Sequence, residues 1–312
     1  DLEPINFPLS GSPSQETIYC QEDNGLTSFM SDRFGFRNSN ELWDAGDIAI
    51  LLLGDSFAQG ACVKNSIQDI LNTKYSTRTL SLGQGGNGPL TSFAVNKEFN
   101  EVFSASHSYY LIYYNDFSRE VGHELAIDFE RELANKTLIK TLTDKDYLQD
   151  YFIESNLANL SEFYAKLNNS ILETTISKNV NTAVNILGLR PLARFAYSIS
   201  SLRAGDLRFL SPVDSKMFIK TLRAFDAINS MNITFVLLPN KRCLNNNYES
   251  AIYLKEQFKL TGIQSTQFLD LSKSSCKEEL FAKSGVHFNQ LGYETLSHLI
   301  FNDFKSRIPN KN

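Results

Sequence analysis

The chain has 312 residues, of which 42% are hydrophobic and 21% are charged, and its formal net charge is −5. This composition is typical of a globular protein with one large domain or two modest ones. The negative charge argues against nucleic-acid binding, which needs a basic surface. No stretch approaches the ~20 apolar residues that span a bilayer. Since residue 1 is Asp rather than Met, we expect a processed or truncated form from which a signal peptide or anchor could have been removed.

Residues 1–47 are rich in Pro, Ser, Gly, Asn and Asp and show no sustained periodicity. We therefore expect an irregular N-terminal arm that packs on the core. Within the arm, residues 31–38 (SDRFGFRN) combine aromatic, basic and glycine residues in a compact cluster. The simpler interpretation of this cluster is a packed turn, and a direct role in a site is the alternative.

Five short apolar runs predict buried strands, because each is rich in β-branched or aromatic residues and most end in Gly, Pro, Asn or Asp. These runs are 48–53, 79–82, 108–114, 233–238 and 267–271.

Segments of helical length lie between the predicted strands, and residues 63–74 and 215–230 place apolar side chains at helix spacing. Alternating strands and helices predict a parallel sheet covered on both faces, formed by residues 48–116 and 213–312. The stretch 117–212 breaks the alternation and predicts a mostly helical insertion. It would serve as a lid, a substrate platform or an oligomer surface.

The tripeptide Gly54-Asp55-Ser56 directly follows the first predicted strand. A buried strand that ends in a small-residue turn with a serine at its tip is how α/β hydrolases present a nucleophile. Ser56 is therefore the candidate nucleophile.

Three further candidate residues follow other predicted strands. Gly86 lies in a glycine-rich loop after the second strand, Asn115 follows the third, and His287 comes after the fifth. Because the carboxyl ends of parallel strands lie at one edge, we expect all three to converge with Ser56. There, His287 would accept the serine proton. The N–H groups of Gly86 and Ser56 and the Asn115 amide would donate hydrogen bonds to the oxyanion of a tetrahedral intermediate.

These four segments, with their key residues in the order Ser, Gly, Asn, His, resemble the SGNH (GDSL-type) hydrolase family over roughly residues 48–116 and 232–305. Gly86 best matches the family's glycine, with Gly85 as the alternative if the register slips. The resemblance implies a flavodoxin-like three-layer α/β/α sandwich with a five-stranded parallel sheet. It also implies a serine-dependent ester hydrolase or acyltransferase that needs no cofactor and no metal.

Residues 34–38 and 237–241 look like segments of bacterial members of this family that are associated with cell-surface polysaccharides. The implied substrate is a short O-acyl group, most simply acetyl, on such a polysaccharide. The implied partners are an acylated glycan or small ester and a membrane-anchored acylation or export machinery. The implied location is exported, periplasmic or at the cell surface.

The sequence departs from the family pattern at one position. The family's last block is Asp-x-x-His, and here Ser284 stands where the aspartate is expected, so the residue that orients His287 is open. One interpretation is a serine–histidine dyad steered by a backbone carbonyl or by Ser284. A second is a substitute acid, with Asp270, Glu278 and Glu279 nearest in sequence. The third is a relative that binds without turnover.

Two other functions therefore remain open. The first is a non-catalytic glycan-binding or assembly component of a polysaccharide export system, which Ser284 favours. The second is a lipid esterase in which the 117–212 insertion is a lid.

The four cysteines lack Cys-x-x-Cys spacing, which argues against a zinc or redox motif. We hypothesise the disulfide pairs Cys243–Cys276 and Cys20–Cys62, although four free thiols are equally compatible with the sequence. No group of histidines or carboxylates has convincing metal-ligand spacing. His107, which precedes a predicted strand, is interpreted as structural.

Overall fold

The computed structural model describes residues 10–11, 13–22, 25–99, 102–114, 116 and 232–307, with isolated positions between 219 and 226. The predicted insertion 117–212, most of the predicted helix 215–230 and Asn115 lie outside the described residues. Among the helices that are described, none combines the length and apolar character needed to cross a membrane.

The N-terminal arm contains regular structure that the sequence analysis did not predict. Strands β1 (Glu16–Glu22) and β2 (Gly25–Met30) pair as an antiparallel hairpin, and a short helix, α1 (Asn40–Asp44), follows. The expectation of an irregular arm was wrong for these segments. A two-stranded ribbon needs no continuous apolar run, so its strands do not show the pattern of a buried strand.

Five parallel strands form the central sheet. They are β3 (Asp47–Leu53), β4 (Thr79–Ser81), β5 (Ser104–Ile112), β6 (Ile233–Leu237) and β7 (Phe268–Asp270). Their spatial order is β4-β3-β5-β6-β7, and every neighbouring pair is parallel. The predicted five-stranded parallel sheet is confirmed, with β5 starting earlier in the chain than expected.

Helices connect and cover these strands. They are α2 (Ser56–Gln59), α3 (Ile67–Lys74), α4 (Pro89–Phe99), α5 (Glu249–Thr261) and α6 (Gln290–Arg307). Short 3₁₀ turns occupy Lys241–Asn245, Ser265–Gln267 and Glu278–Leu280. Helix α3 begins later than predicted because Ser66 caps it: the Ser66 hydroxyl accepts from the Asp69 N–H at 3.1 Å, and the Asp69 carboxylate accepts from the Ser66 N–H at 2.8 Å.

Alternate residues of the central strands pack into two cores on opposite faces of the sheet. In β3, Leu51 and Leu53 belong to one core, and Ile50 and Leu52 belong to the other. The first core is completed by buried side chains of the arm, α4 and α5: Phe36, Trp43, Phe93, Phe99, Leu254 and Phe258. The second is completed by α3 and α6: Ile67, Ile70, Leu71, Tyr293, Leu296, Ile300 and Phe304. The predicted flavodoxin-like three-layer α/β/α sandwich is therefore confirmed.

The strand order reverses at β3. The chain runs from β3 to β4 on one side and then crosses to β5 on the other side of β3. Such a reversal leaves a crevice at the carboxyl ends of the strands, where open α/β sheets bind their ligands. Ser56 follows the carboxyl end of β3, so the topology places it beside this crevice.

Candidate active site

Ser56 lies in a tight turn between β3 and α2. At Gly54, φ is +137° and a Cβ atom would approach the Leu111 carbonyl oxygen of β5 to 2.8 Å, so the turn requires glycine. The Asp55 carboxylate caps α2 by accepting from the Phe57 N–H at 2.9 Å. Ser56 is the first residue of α2 and is only 6% exposed. The local sequence thus fixes the hydroxyl at a helix N-terminus.

The Ser56 hydroxyl contacts the imidazole of His287, which comes from the loop between β7 and α6. The distance from Ser56 Oγ to His287 Nε2 is 2.9 Å. The Asp55 carboxylate is a second neighbour of this hydroxyl, at 3.2 Å. The ring of Phe57 lies 5.1 Å from the imidazole, centroid to centroid, and supports it from the side. The structure therefore brings together the two residues that the sequence analysis named as nucleophile and base.

The other ring nitrogen of His287 contacts a residue that the sequence analysis did not single out. Glu22, the last residue of β1, places Oε1 2.9 Å from His287 Nδ1, and both side chains are largely buried. An ionised carboxylate only accepts hydrogen bonds, so Nδ1 must carry the proton of the neutral ring. This tautomer leaves the lone pair of Nε2 directed at the Ser56 hydroxyl.

The contact of Glu22 with Nδ1 differs from the expectation that Ser284 or Asp270 orients His287. Asp270 forms an ion pair with Lys255 and accepts hydrogen bonds from Ser272, so its carboxylate is engaged elsewhere. Ser284 is exposed in the loop before the histidine. Neither residue occupies the Nδ1 position, because Glu22 does. No local motif could have revealed Glu22, since it lies 265 positions upstream of His287.

The glycine-rich loop after β4 offers a backbone donor. The Gly85 N–H donates to Gln59 Oε1 at 2.8 Å, whereas the Gly86 N–H has no partner among the described residues. The loop is tied to the nucleophile turn by the Gln84 N–H, which donates to the Gly54 carbonyl at 3.3 Å. This arrangement favours Gly86 over Gly85 as the oxyanion donor. Gln59, which orders the loop, is a supporting residue that the sequence analysis missed.

Arg37 holds the loop that follows α2. Its buried guanidinium donates to the carbonyls of Gly60 at 2.6 Å, Lys64 at 2.8 Å and Val63 at 3.2 Å. Burial lowers the pKa of Arg37, although Asp69 acts in the opposite direction. The arm therefore fixes the far end of the nucleophile helix through one multidentate side chain.

The rest of the 31–38 cluster is organised by Asp32, which is 1% exposed. Its carboxylate accepts from two backbone N–H groups and two side chains: Phe34 N, Phe36 N, Asn38 Nδ2 and Trp43 Nε1, at 2.8–3.0 Å. Burial raises the pKa of Asp32, while these hydrogen bonds act in the opposite direction. Asn38 also bonds both backbone groups of Ser81 at the end of β4. The cluster is therefore a packed turn that supports the site.

The structure joins Cys243 and Cys276 in a disulfide, as hypothesised, with their Cα atoms 6.1 Å apart. Cys62 is disulfide-bonded as well. The side chain of Cys20 lies outside the described residues, so the Cys20–Cys62 pairing stays a prediction. Cys62 Sγ lies 3.7 Å from His287 Nδ1.

One group of metal-ligand types occurs among the described residues. Ligand atoms of Glu22, Cys62 and His287 lie within 4.8 Å of one another. A disulfide sulfur cannot act as the thiolate that a metal would need, and His287 uses Nδ1 to donate to Glu22. The chemistry of this group is therefore that of a hydrogen-bonded relay and not of a metal centre.

Comparisons with known proteins give a distant structural likeness. No protein-family model matches the chain, and no curated protein matches it. Among solved structures, the chain is similar to a lipase/acylhydrolase from Enterococcus faecalis, with 13% sequence identity and a TM-score of 0.44. The match covers 85% of this chain and 99% of that chain. Because likeness at this level carries no argument about function, the function has to follow from the geometry of the site.

Proposed function

We propose that the protein is a serine-dependent carboxylic-ester hydrolase or acyltransferase. The observation that carries this proposal is the 2.9 Å contact between Ser56 Oγ and His287 Nε2 at the N-terminus of α2. A serine hydroxyl is a weak nucleophile until a neighbouring base takes its proton. Here the base has its lone pair on the correct nitrogen, because Nδ1 donates to a carboxylate.

In the first half of the reaction, Ser56 Oγ attacks the ester carbonyl carbon as its proton passes to His287 Nε2. The carbonyl oxygen becomes an oxyanion, which the N–H groups of Ser56 and Gly86 stabilise. The bond to the leaving alcohol then breaks, and the imidazolium returns the proton to the departing oxygen. The product is an acyl-serine and a free alcohol.

In the second half, water or another hydroxyl attacks the acyl group while His287 Nε2 accepts its proton. The second tetrahedral intermediate collapses, Ser56 leaves as the alcohol after taking the proton back, and the free enzyme is restored. Water as the acceptor gives hydrolysis, and a glycan hydroxyl gives acyl transfer. Asn115, the third oxyanion donor expected from the sequence, lies outside the described residues and keeps that role as a prediction.

The finer part of the proposal concerns substrate and location. We infer a short acyl group, most simply acetyl, on a bacterial surface polysaccharide, handled in the periplasm or at the cell surface together with a membrane-anchored acylation or export machinery. Its supports are the resemblance of residues 34–38 and 237–241 to polysaccharide-associated proteins and the Cys243–Cys276 disulfide, since disulfides persist in oxidising compartments.

The alternative of a non-catalytic glycan-binding component loses its main reason. That reason was the serine at position 284, which left His287 without an acid. Glu22 supplies a carboxylate to the same ring nitrogen from another part of the chain. The lipid-esterase alternative depends on the 117–212 insertion and gains no support from the described residues.

The test combines turnover with covalent labelling. Acetate release from p-nitrophenyl acetate is measured for the wild type and for Ser56→Ala, and the mass of each is measured after fluorophosphonate treatment. We expect one adduct on Ser56 of the wild type and a kcat about 10⁶-fold lower in the variant.

The matched control for this test is Ser297→Ala. Ser297 is also buried, but its hydroxyl donates to the Tyr293 carbonyl within α6 at 2.7 Å. The control should keep both turnover and labelling. An unlabelled, inactive wild type, or a Ser56→Ala variant as active as the control, would contradict the proposed function.

A further inference from the structure

We propose that Glu22, carried by the N-terminal hairpin, is the positioning acid of His287 and takes over the task that Ser284 cannot perform. This inference rests on the proposed function, because it assigns the third member of the same catalytic relay. The acid therefore comes from β1, outside the central sheet, and not from the block that carries the histidine.

The first support is the way one carboxylate oxygen holds both the ring and its loop. Glu22 Oε1 is 2.9 Å from His287 Nδ1 and also accepts from the Val286 N–H at 3.3 Å. The His287 side chain and the Val286 backbone are thus both held by the same oxygen of Glu22. Such a contact fixes the ring orientation as well as the tautomer.

The second support is that the histidine loop has a place for this carboxylate. Gly285 has φ of +86°, and a Cβ atom there would lie 2.0 Å from Glu22 Oε1 and 2.3 Å from its Cδ. Any other residue at position 285 would displace the carboxylate. The loop and the hairpin therefore fit each other through a glycine at the point of contact.

The third support is the rigidity of that loop. The ammonium of Lys241 donates to the carbonyls of Ala282 at 2.6 Å, Lys283 at 3.1 Å and Gly285 at 3.4 Å. An isolated antiparallel bridge between Phe281 and Phe288 closes the loop at its base. A loop held at both places keeps the imidazole where the carboxylate can reach it.

The fourth support is the electrostatic state of the carboxylate. Glu22 Oε2 is buried and has no hydrogen-bond partner among the described residues. Within the part of the chain that the structure describes, the negative charge is therefore met only by the contacts of Oε1 with Val286 and His287. It becomes compensated when His287 takes the proton of Ser56 and turns into an imidazolium, which is the role an acid plays in a serine triad.

The experiment compares Glu22→Gln with Glu16→Gln. Both residues lie on β1, and among the described residues the Glu16 carboxylate accepts a hydrogen bond from Ser28 Oγ of the same hairpin at 2.9 Å. We expect Glu22→Gln to lower kcat by about 10³- to 10⁴-fold with little change in KM, because the glutamine amide can donate to Nδ1 and favour the wrong tautomer. Glu16→Gln should stay within about twofold of the wild type. Glu22→Asp, which keeps the carboxylate, should recover part of the lost kcat.

A spectroscopic measurement on the wild type keeps the inference testable even if the variants fold poorly. ¹⁵N NMR of histidine-labelled protein should show Nδ1 of His287 protonated and Nε2 unprotonated, with the assignment made by comparison with His287→Gln. In Glu22→Gln the Nε2-protonated form should appear.

Two results would overturn the inference while leaving the proposed function in place. One is a Glu22→Gln variant as active as Glu16→Gln while Ser56→Ala is inactive. The other is a wild-type His287 that is protonated on Nε2. A wild type that neither turns over ester nor is labelled at Ser56 would overturn the proposed function, and this inference with it.

Discussion

Among the described residues, two histidines contact an aliphatic hydroxyl through Nε2 at nearly the same distance. His107 Nε2 is 2.8 Å from Thr234 Oγ1, and His287 Nε2 is 2.9 Å from Ser56 Oγ. His107 lies in β5, Thr234 lies in the neighbouring strand β6, and both residues are buried. The contact of an imidazole Nε2 with an aliphatic hydroxyl is thus found both inside the sheet, in the interior pair His107–Thr234, and at its carboxyl edge, in the edge pair His287–Ser56.

The comparison identifies the features other than the imidazole–hydroxyl contact on which the proposed catalysis depends. The serine of the edge pair begins a helix and has a glycine-rich loop beside it, whereas the threonine of the interior pair lies within a strand, where backbone N–H groups serve the sheet ladder. The edge histidine also has the Glu22 carboxylate on its other nitrogen. Position at the sheet edge and a carboxylate, rather than the hydroxyl contact, separate the two pairs.

The largest expected effect comes from exchanging each histidine for glutamine. His287→Gln removes the base, and we expect kcat for p-nitrophenyl acetate to fall by about 10⁶-fold. His107→Gln should leave kcat within about threefold, since its imidazole serves the core. Steady-state kinetics on both variants, with folding checked by circular dichroism, test this. A large loss of kcat in folded His107→Gln would break the comparison.

The second effect concerns stability and pH. Burial, assisted by the nearby Arg307, lowers the pKa of His107 from its ordinary 6.5 to about 4, with Asp303 acting in the opposite direction. As the pH falls, His107 is protonated in the unfolded chain before it is protonated in the folded protein. Protonation therefore favours the unfolded chain: the free energy of unfolding is unaffected by His107 above about pH 6.5 and decreases as the pH falls to about 4. The free energy of unfolding should decrease by about 3 kcal/mol across this window on account of His107.

Urea unfolding at several pH values, for the wild type and for His107→Gln, measures this contribution. The variant should lack the part of the pH dependence that His107 causes. An unchanged pH dependence in the variant would show that the buried imidazole titrates as it does in water.

The smallest expected effect concerns the loop that carries His287 of the edge pair. Lys241→Met keeps an apolar stem but removes the three hydrogen bonds to the histidine loop. We expect kcat to fall about tenfold because His287 is held less firmly. Lys273→Met, which removes an ammonium 5.3 Å from the centre of the Tyr248 ring, serves as the control and should not change kcat. Equal rates for the two variants would remove the argument for a rigid loop.

The features that the sequence could predict are local ones. The apolar run before Ser56 and the Gly54-Asp55-Ser56 turn are continuous in the chain, so strand, turn and nucleophile can be inferred together. His287 could be identified because a histidine was expected in the segment that follows the last predicted strand. The acid was not identifiable by the same means, because its position depends on how a separate hairpin docks.

The hairpin itself shows why that docking is hard to foresee. Its strands contain polar residues among the apolar ones and pair only with each other, so they do not resemble sheet core. The complementary shape of Gly285 and Glu22 exists only in three dimensions. Ser284, at the position where the family pattern has its acid, raised the question of what orients His287, but it gave no indication that Glu22 would be the residue in contact with Nδ1.

The sequence separation of 265 between Glu22 and His287 has a consequence for the time at which the proposed activity would arise. A ribosome makes Glu22 before Ser56, and it makes His287 only 231 residues after Ser56. A nascent chain that already presents Ser56 at the tip of β3 still lacks its base, and long-range contacts of this kind form slowly even in the finished chain. The proposed relay of Glu22, His287 and Ser56 therefore cannot form until His287 has been made and has met the hairpin.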